Sequence, residues 1–286
     1  MDRRIGSYRL LRQLMSGQNS QVWEVFHDGK QQRFALKYLH EDLIGDKEQI
    51  GYLKNEFLVG KALEHPRVVK IIEMGRLKGM LFLVLEFYPH PNLKTLIQQD
   101  YDRLAPIIPK VIEQAAEALG YFHSRGWVHR DIKPDNFLVS ADGEVKLIDF
   151  ALAQKPKTGI AKLFARKTKC QGTRSYMSPE QIRGEPLDQR ADIYSFGCML
   201  HELLSGKAPF TGSDTTELLN KHLRTQPPPL EVSNKNVTSE FARLVQRTLS
   251  KNPKDRPDSM ETFLKEFRAM KVHKQPPVPS GRSKEE

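Results

Sequence analysis

The sequence predicts an α+β fold in two unequal parts: a small β-rich part with one helix, then a larger, mainly helical part. Three observations carry this. Before about residue 87, apolar residues fall in several short runs with a period near two, the period of a half-buried strand. Tyr88-Pro89-His90-Pro91 then interrupts the pattern with two prolines, which break helix and strand alike. Beyond it the apolar spacing becomes helical, and Ala191 to Ser205 is apolar nearly all round, as a buried helix is.

Taken in order, Tyr8 to Leu14 and Val22 to Phe26 are expected strands around a polar, Gly-containing turn, and Arg33 to Leu39 is a third. Lys47 to Glu64 has helical spacing, with Ile50, Leu53, Phe57 and Gly60 on one stripe. Leu81 to Phe87 is an apolar strand ending at the proline-rich connector. Ile107 to Ser124 is an amphipathic helix stopped by Gly126, and Gly206 stops the buried helix. Thr238 to Ser250 and Ser259 to Met270 complete the helical set. From Lys271 the chain is basic and Pro-containing, a composition expected to stay disordered. The expected organisation is one domain over 1–270, divided between 87 and 88, and a tail over 271–286.

With 286 residues, 38% hydrophobic and 28% charged, the chain can bury a sizeable core and is not disordered throughout. The longest apolar run, Met80 to Leu85, is far too short to span a bilayer. Met1-Asp2-Arg3-Arg4 leads into no signal-type apolar core. Two cysteines, Cys170 and Cys198, make no disulfide framework. The expected setting is cytoplasmic. The net charge of +10 favours anionic partners, but a solvated basic surface plus a basic tail is the simpler reading and the one preferred. No RNA-binding aromatic motif or zinc-finger spacing accompanies the charge, so nucleic acid is not the expected partner.

The chemistry begins at two β-like runs, Phe137-Leu138-Val139 and Val145-Lys146-Leu147-Ile148, around Ala141-Asp142-Gly143-Glu144. Asp-Gly between strands signals a two-residue hairpin turn. With Asp142 and Gly143 at the turn centre, Asn136 falls opposite Asp149. An amide oxygen and a carboxylate side by side suit Mg²⁺, which takes its remaining ligands from phosphates and water. A purely structural hairpin with polar ends fits the same pattern.

Immediately upstream, His129-Arg130-Asp131-Ile132-Lys133-Pro134-Asp135-Asn136 resembles the catalytic loop of the protein kinase family, H-R-D-x-x-x-x-N. Residues from about 8 to 270 fall into that family's order. The resemblance implies a bilobal kinase fold, ATP and Mg²⁺ as cofactors, and a protein substrate. It implies that Asp131 orients the substrate hydroxyl and accepts its proton, that Lys133 offsets γ-phosphate charge, and that Asn136 and Asp149 hold magnesium. Lys133 points to the serine/threonine branch.

Phe34-Ala35-Leu36-Lys37 resembles the family's V-A-I-K strand. Period two puts Ala35 and Lys37 on one face, and the resemblance implies Ala35 over adenine and Lys37 at the phosphates. Glu56 belongs to the inward stripe of its helix, and a buried carboxylate needs a cation, which Lys37 supplies. Glu64, beside His65-Pro66 at the helix end, is the poorer candidate. Leu14-Met15-Ser16-Gly17-Gln18-Asn19-Ser20-Gln21-Val22 is similar to the phosphate-covering L-G-x-G-x-x-G-x-V loop, but only the middle glycine is kept. The resemblance implies that Leu14, Met15, Gly17 and Val22 meet the nucleotide and that Glu86-Phe87-Tyr88 is the adenine-binding hinge. It also makes Leu85 the gatekeeper and sets Leu138 beneath the base.

Asp149-Phe150-Ala151 stands where the family has D-F-G. Gly172 to Glu180 resembles the substrate-docking segment that ends in A-P-E. It implies Thr173 bonded near Asp131 and Lys133, Glu180 paired with Arg256, and Asp192 bracing the catalytic loop. The resemblance also makes Thr168, ringed by Arg166, Lys167 and Lys169, the candidate activation phosphosite; a basic run that only attracts acidic substrates, or is solvated and idle, is the alternative. The wording of these motifs resembles bacterial members, many of which carry a membrane helix beyond this domain. This sequence has none, so a soluble kinase or a fragment is expected. The expected function is ATP- and Mg-dependent phosphorylation of protein Ser/Thr hydroxyls. A pseudokinase scaffold is the alternative, favoured by the altered glycine loop and by Ala151. A kinase of small molecules is opposed by the docking segment.

Overall fold

The computed structural model describes residues 4–156 and 171–277. The chain forms two compact units: residues up to Pro89 together with Ile148–Ala153, and His90–Leu147 together with the chain from Gln154 onward. The boundary lies two residues beyond the expected one, and a short later segment returns to the first unit.

The first unit is built on an antiparallel sheet of order β1-β2-β3-β4-β6-β5. Its strands are β1 (Arg4–Ile5), β2 (Tyr8–Ser16), β3 (Ser20–His27), β4 (Gln32–Leu39), β5 (Ile71–Leu77) and β6 (Met80–Glu86). β2 and β3 overrun their expected ends because the turn between them is only Gly17-Gln18-Asn19, closed by Gly17 N–H to Ser20 O at 2.9 Å. β5 is not among the expected strands. Lys78 and Gly79 both take positive φ, 46° and 87°, and turn β5 tightly into β6, the two-residue hairpin geometry that matches strand twist. Ile5, Tyr8, Val25, Phe34, Leu36, Phe82 and Val84 form a buried cluster on one side of the sheet. Each such side chain contributes about 1.5–3 kcal/mol on full burial.

The helix α1 (Lys47–Lys61) starts where Asp46 accepts from the N–H groups of Glu48 and Gln49, at 2.8 and 3.1 Å, an N-cap that satisfies otherwise unpaired donors. It ends three residues short of Glu64, because Pro66 cannot continue a helix and holds His65 out of the helical region. Leu53, Glu56, Val59 and Gly60 are its buried residues.

In the second unit the described helices are α2 (Leu93–Gln99), α3 (Tyr101–Leu104), α4 (Ile108–Ser124), α5 (Pro179–Arg183), α6 (Gln189–Ser205), α7 (Thr215–Arg224), α8 (Leu230–Ser233), α9 (Ser239–Thr248) and α10 (Met260–Arg268). α6 is buried from Ala191 to Leu204, as its all-round apolar sequence requires. Phe196 of α6 meets Phe263 of α10 edge-on at 5.4 Å, and Phe241 of α9 meets Phe267 at 5.6 Å. Cys198 is a free, buried thiol on α6. No helix among the described residues is long and apolar enough to cross a membrane.

The hairpin β7 (Phe137–Val139) and β8 (Val145–Leu147) corrects one expectation. Val139 pairs with Val145 and Phe137 with Leu147, one residue off the register that set Asn136 opposite Asp149. The loop has three residues instead of two. Gly143 N–H bonds to Ser140 O at 3.0 Å, Ser140 N–H to Glu144 O at 2.9 Å, and Gly143 sits at φ 79°. That is a turn followed by a left-handed glycine. A second correction concerns the tail. Val272 is buried, Thr238 N–H donates to its carbonyl at 3.0 Å, and Lys274 N–H donates to Asn236 O at 2.7 Å. The chain is therefore ordered through these residues, past the point where disorder was expected.

Candidate active site

In the first unit Lys37 lies on β4 and Glu56 on α1. Lys37 Nζ is 2.7 Å from Glu56 Oε2 and 3.3 Å from Asp149 Oδ1. The Lys37 and Glu56 side chains are 10% and 2% exposed, so neither ion is tolerable without the other. Burial alone would depress the Lys37 pKa, but the carboxylates of Asp149 and Glu56 outweigh it and hold the ammonium above its ordinary value. Burial pushes the Glu56 carboxyl up and Asp149 adds to that, while Lys37 pulls it back. One cation thus shares two carboxylates.

The sheet arranges the expected nucleotide face around that cation. Met15 pairs with Val22, Val22 with Lys37, and Lys37 with Leu83. Directly opposite residues share a face, so this row crosses four strands, with Ala35 two residues along from Lys37. Leu14 and Met15, at the end of β2, are each 40% exposed. Glu86 ends β6 with its N–H bonded to Lys70 O at 2.8 Å, and Tyr88 follows, half-buried. The loop that lacks two glycines does not need them in this conformation: neither Met15 nor Ser20 has positive φ. Instead His40 holds the turn, with Nε2 2.9 Å from Gly17 O and its own N–H donating to Asn19 O at 3.1 Å. Sequence reasoning missed His40, which lies 23 residues from its partner.

In the second unit the catalytic-loop residues converge on Asp131. Its Oδ1 accepts from Thr173 N–H at 2.8 Å and from Thr173 Oγ1–H at 2.9 Å. Its Oδ2 lies 2.8 Å from Lys133 Nζ. Lys133 Nζ also donates to Thr173 Oγ1 at 2.7 Å, so carboxylate, ammonium and hydroxyl close a triangle. Asn136 Nδ2 donates to the Asp131 carbonyl at 2.8 Å. Leu138 pairs with Lys146 on β8 and bridges to Asn92 on its other side.

The loop is braced from beneath. Asp192, with no exposed surface, accepts from the N–H groups of His129 and Arg130 at 2.7 and 2.8 Å and meets His123 Nε2 at 2.9 Å. Burial works to raise its pKa, and the donors from His123 and His129 overcome that and hold it low. Gly172 sits at φ 115°, and a Cβ there would meet Arg130 O at 2.8 Å, so the docking segment can run this close only with glycine. Gln181, another residue that the motifs did not single out, donates to Arg130 O at 2.9 Å and to Gln171 O at 2.6 Å. Arg256 grips Glu180 with two parallel bonds of 2.6 and 2.9 Å.

Asn136 and Asp149 fall in different units. Their chemistry fits a hard cation: the Asn136 nitrogen is committed to the loop, leaving its carbonyl oxygen as the remaining group, and Asp149 is a carboxylate with a 31% exposed side chain. Among the described residues no cluster of three or more His, Cys, Asp or Glu side chains is placed for a metal. Thr168 lies outside the described residues.

Comparison with known proteins matches these motifs to a family. The protein kinase domain family matches residues 8–267. A serine/threonine-protein kinase, pkn3, of Myxococcus xanthus is 32% identical over 244 residues, 82% of this chain and 45% of its own. PknB of Mycolicibacterium smegmatis is 34% identical over 231 residues, 78% of this chain and 36% of its own. PknA of Mycobacterium tuberculosis is 31% identical over 280 residues, 96% of this chain and 64% of its own. The chain therefore spans between about a third and two thirds of the length of these curated relatives. The family match runs from β2 to the last turn of α10 and takes in every motif described above, and the chain belongs to the protein kinase domain family.

Proposed function

We propose that this chain transfers the γ-phosphate of ATP to serine and threonine hydroxyls of a protein substrate. The observation that carries the reading is the Asp131–Lys133–Thr173 triangle. A carboxylate held at both oxygens is aimed before substrate arrives, as positioning catalysis requires. In this reading Asp131 orients the acceptor hydroxyl and takes its proton, and Lys133 meets the charge that grows on the phosphoryl oxygens. Lys37, held by Glu56, grips the α- and β-phosphates, while Ala35 and Val22 cover adenine beside the Glu86 and Tyr88 backbone. Asp149 in the first unit and Asn136 in the second each offer an oxygen suited to Mg²⁺, which neutralises phosphate charge when bound. A cytoplasmic setting, where ATP is plentiful, goes with this reading.

Acceptor choice is the sharpest test. On peptides that differ only in carrying Ser, Thr or Tyr at the acceptor position, phosphate should appear on Ser and Thr. Transfer to Tyr alone would contradict the reading.

Two further results are expected. Met15→Gly with Ser20→Gly frees the phosphate-covering loop to approach the nucleotide, so the KM for ATP should fall. An unchanged or higher KM means that the substituted loop covers phosphate well as it stands. Thr168→Ala should lower activity after preincubation with ATP, because a phosphate of about −1.5 to −2 charges at Thr168 would offset the surrounding cations. Full activity in this variant, with no phosphate at Thr168 in the wild type, excludes that mechanism.

A further inference from the structure

Asn55 stands next to Glu56 on α1 and belongs to no motif of the sequence. Its amide Nδ2 lies 2.9 Å from the carbonyl oxygen of Ala153, 3.0 Å from that of Ala151 and 3.4 Å from that of Phe150. A primary amide has two N–H groups, so Ala153 and Ala151 are its main acceptors and Phe150 takes a longer share. The three carbonyls converge because the backbone after Asp149 folds into a turn. Ala153 N–H donates to Phe150 O at 3.1 Å, Ala151 N–H donates to Asp149 Oδ1 at 3.3 Å, and Phe150 has no exposed surface. Asp149 itself sits at φ 66°, a left-handed backbone that aspartate can adopt because its short side chain bonds locally, here as acceptor from Ala151 N–H. All of these residues belong to the first unit. Two consecutive residues of α1 therefore hold the two charged groups beside them: Glu56 holds Lys37, and Asn55 holds the turn that carries Asp149.

We propose that Asn55 is a positioning residue that fixes Asp149 for a divalent cation. α1 then sets the phosphate-gripping lysine and the metal-ligating carboxylate together. The inference rests on the reading that Asp149 takes Mg²⁺. Asn55→Asp exchanges the donor for an anion facing three carbonyls at nearly unchanged volume. Asn55→Ala removes the donor without adding charge, and Asn55→Gln restores it on a longer stem.

The test uses the full chain and reads binding, not turnover. A fluorescent ATP analogue is titrated at increasing Mg²⁺, and thermal unfolding is followed alongside. In Asn55→Asp and Asn55→Ala the Mg²⁺ concentration for half-maximal binding should rise about tenfold, the effect of losing one or two hydrogen bonds that orient the ligand. Metal-free nucleotide binding should hold, and Asn55→Gln should recover part of the shift. A residue that only stabilises the helix would lower the unfolding temperature and leave the Mg²⁺ midpoint in place, which overturns the proposal. Should Asn55→Asp not fold, Asn55→Ala decides in the same way. Asp149→Asn separates the two layers of inference. If it moves the Mg²⁺ midpoint and Asn55→Ala does not, only the role of Asn55 falls. If it leaves the midpoint unmoved, the reading of Asp149 as the metal ligand falls and the proposal with it.

Discussion

Asp131→Asn should lower kcat by a factor on the order of 10²–10⁴, the usual contribution of a positioned general base, while nucleotide binding stays near that of the wild type. The substitution is close to isosteric. Thr173 N–H can still donate to the oxygen of the new side-chain amide, so the loop geometry set by Asp192 and Gln181 should survive. An amide cannot take the hydroxyl proton at neutral pH, and its partnership with Lys133 loses the charge–charge component seen at 2.8 Å. Asp131 makes its described contacts with Thr173, Lys133, Asn136 and His129, whereas the proposed phosphate grip is Lys37 with Glu56. Steady-state turnover with a fluorescent-nucleotide titration checks both halves. Turnover equal to wild type removes Asp131 from the chemistry.

Arg256→Met should destabilise the second unit by about 3–5 kcal/mol, the cost of leaving a buried charge without its partner. The Arg256 guanidinium has no exposed side-chain surface and donates to five acceptors: both oxygens of Glu180 and the carbonyls of Arg190, Ser250 and Lys251. Removing it strands the Glu180 carboxylate at 6% exposure. Arg256→Lys should not rescue, because an ammonium cannot supply the planar, bidentate fork. Arg256→Met with Glu180→Gln should cost less than the sum of the two single changes, since residues in direct contact are coupled. The melting midpoint of Arg256→Met should fall by roughly 10 °C on the usual scaling for a domain of this size. Activity should fall with it, because Glu180 anchors the end of the docking segment that presents Thr173. A midpoint equal to wild type would show that the pair is idle.

How far the sequence could be read follows from the range of each interaction. The Lys37–Glu56 pair was legible because Phe34-Ala35-Leu36-Lys37 resembles the family's lysine-bearing strand, the helix period turns Glu56 inward, and a buried carboxylate needs a cation. The α1 stripe was only partly right: Val59 is fully buried, whereas Ile50 and Phe57 are half-buried. The β7–β8 hairpin was legible, but its register was not, because Asp-Gly can centre a two-residue loop or end a three-residue one with glycine left-handed. β5 and α7 lie outside the expected elements, yet both have local sequence signals. Lys78-Gly79 stands between two apolar runs, and Asp214 caps α7 by accepting from Glu217 N–H at 2.8 Å, while the Glu217 carboxylate accepts from the N–H of Ser213, just before the cap, at 2.7 Å. Asn55, His40 and Gln181 had no local signal at all. A polar residue on a helix or at a strand end reads as solvent-facing until the chain brings a distant backbone carbonyl against it, 95 or more residues away for Asn55. The return of Ile148–Ala153 to the first unit was hidden for the same reason.

The most direct test of the central claim is to incubate the purified chain with labelled ATP and a protein rich in exposed serine and threonine, with and without Mg²⁺, and to map the phosphorylated residues. The account predicts label on serine and threonine hydroxyls of the chain or the acceptor, dependent on Mg²⁺ and lost in Asp131→Asn. Saturable nucleotide binding with no label transferred to any hydroxyl under these conditions would contradict it and leave the fold as a binding scaffold.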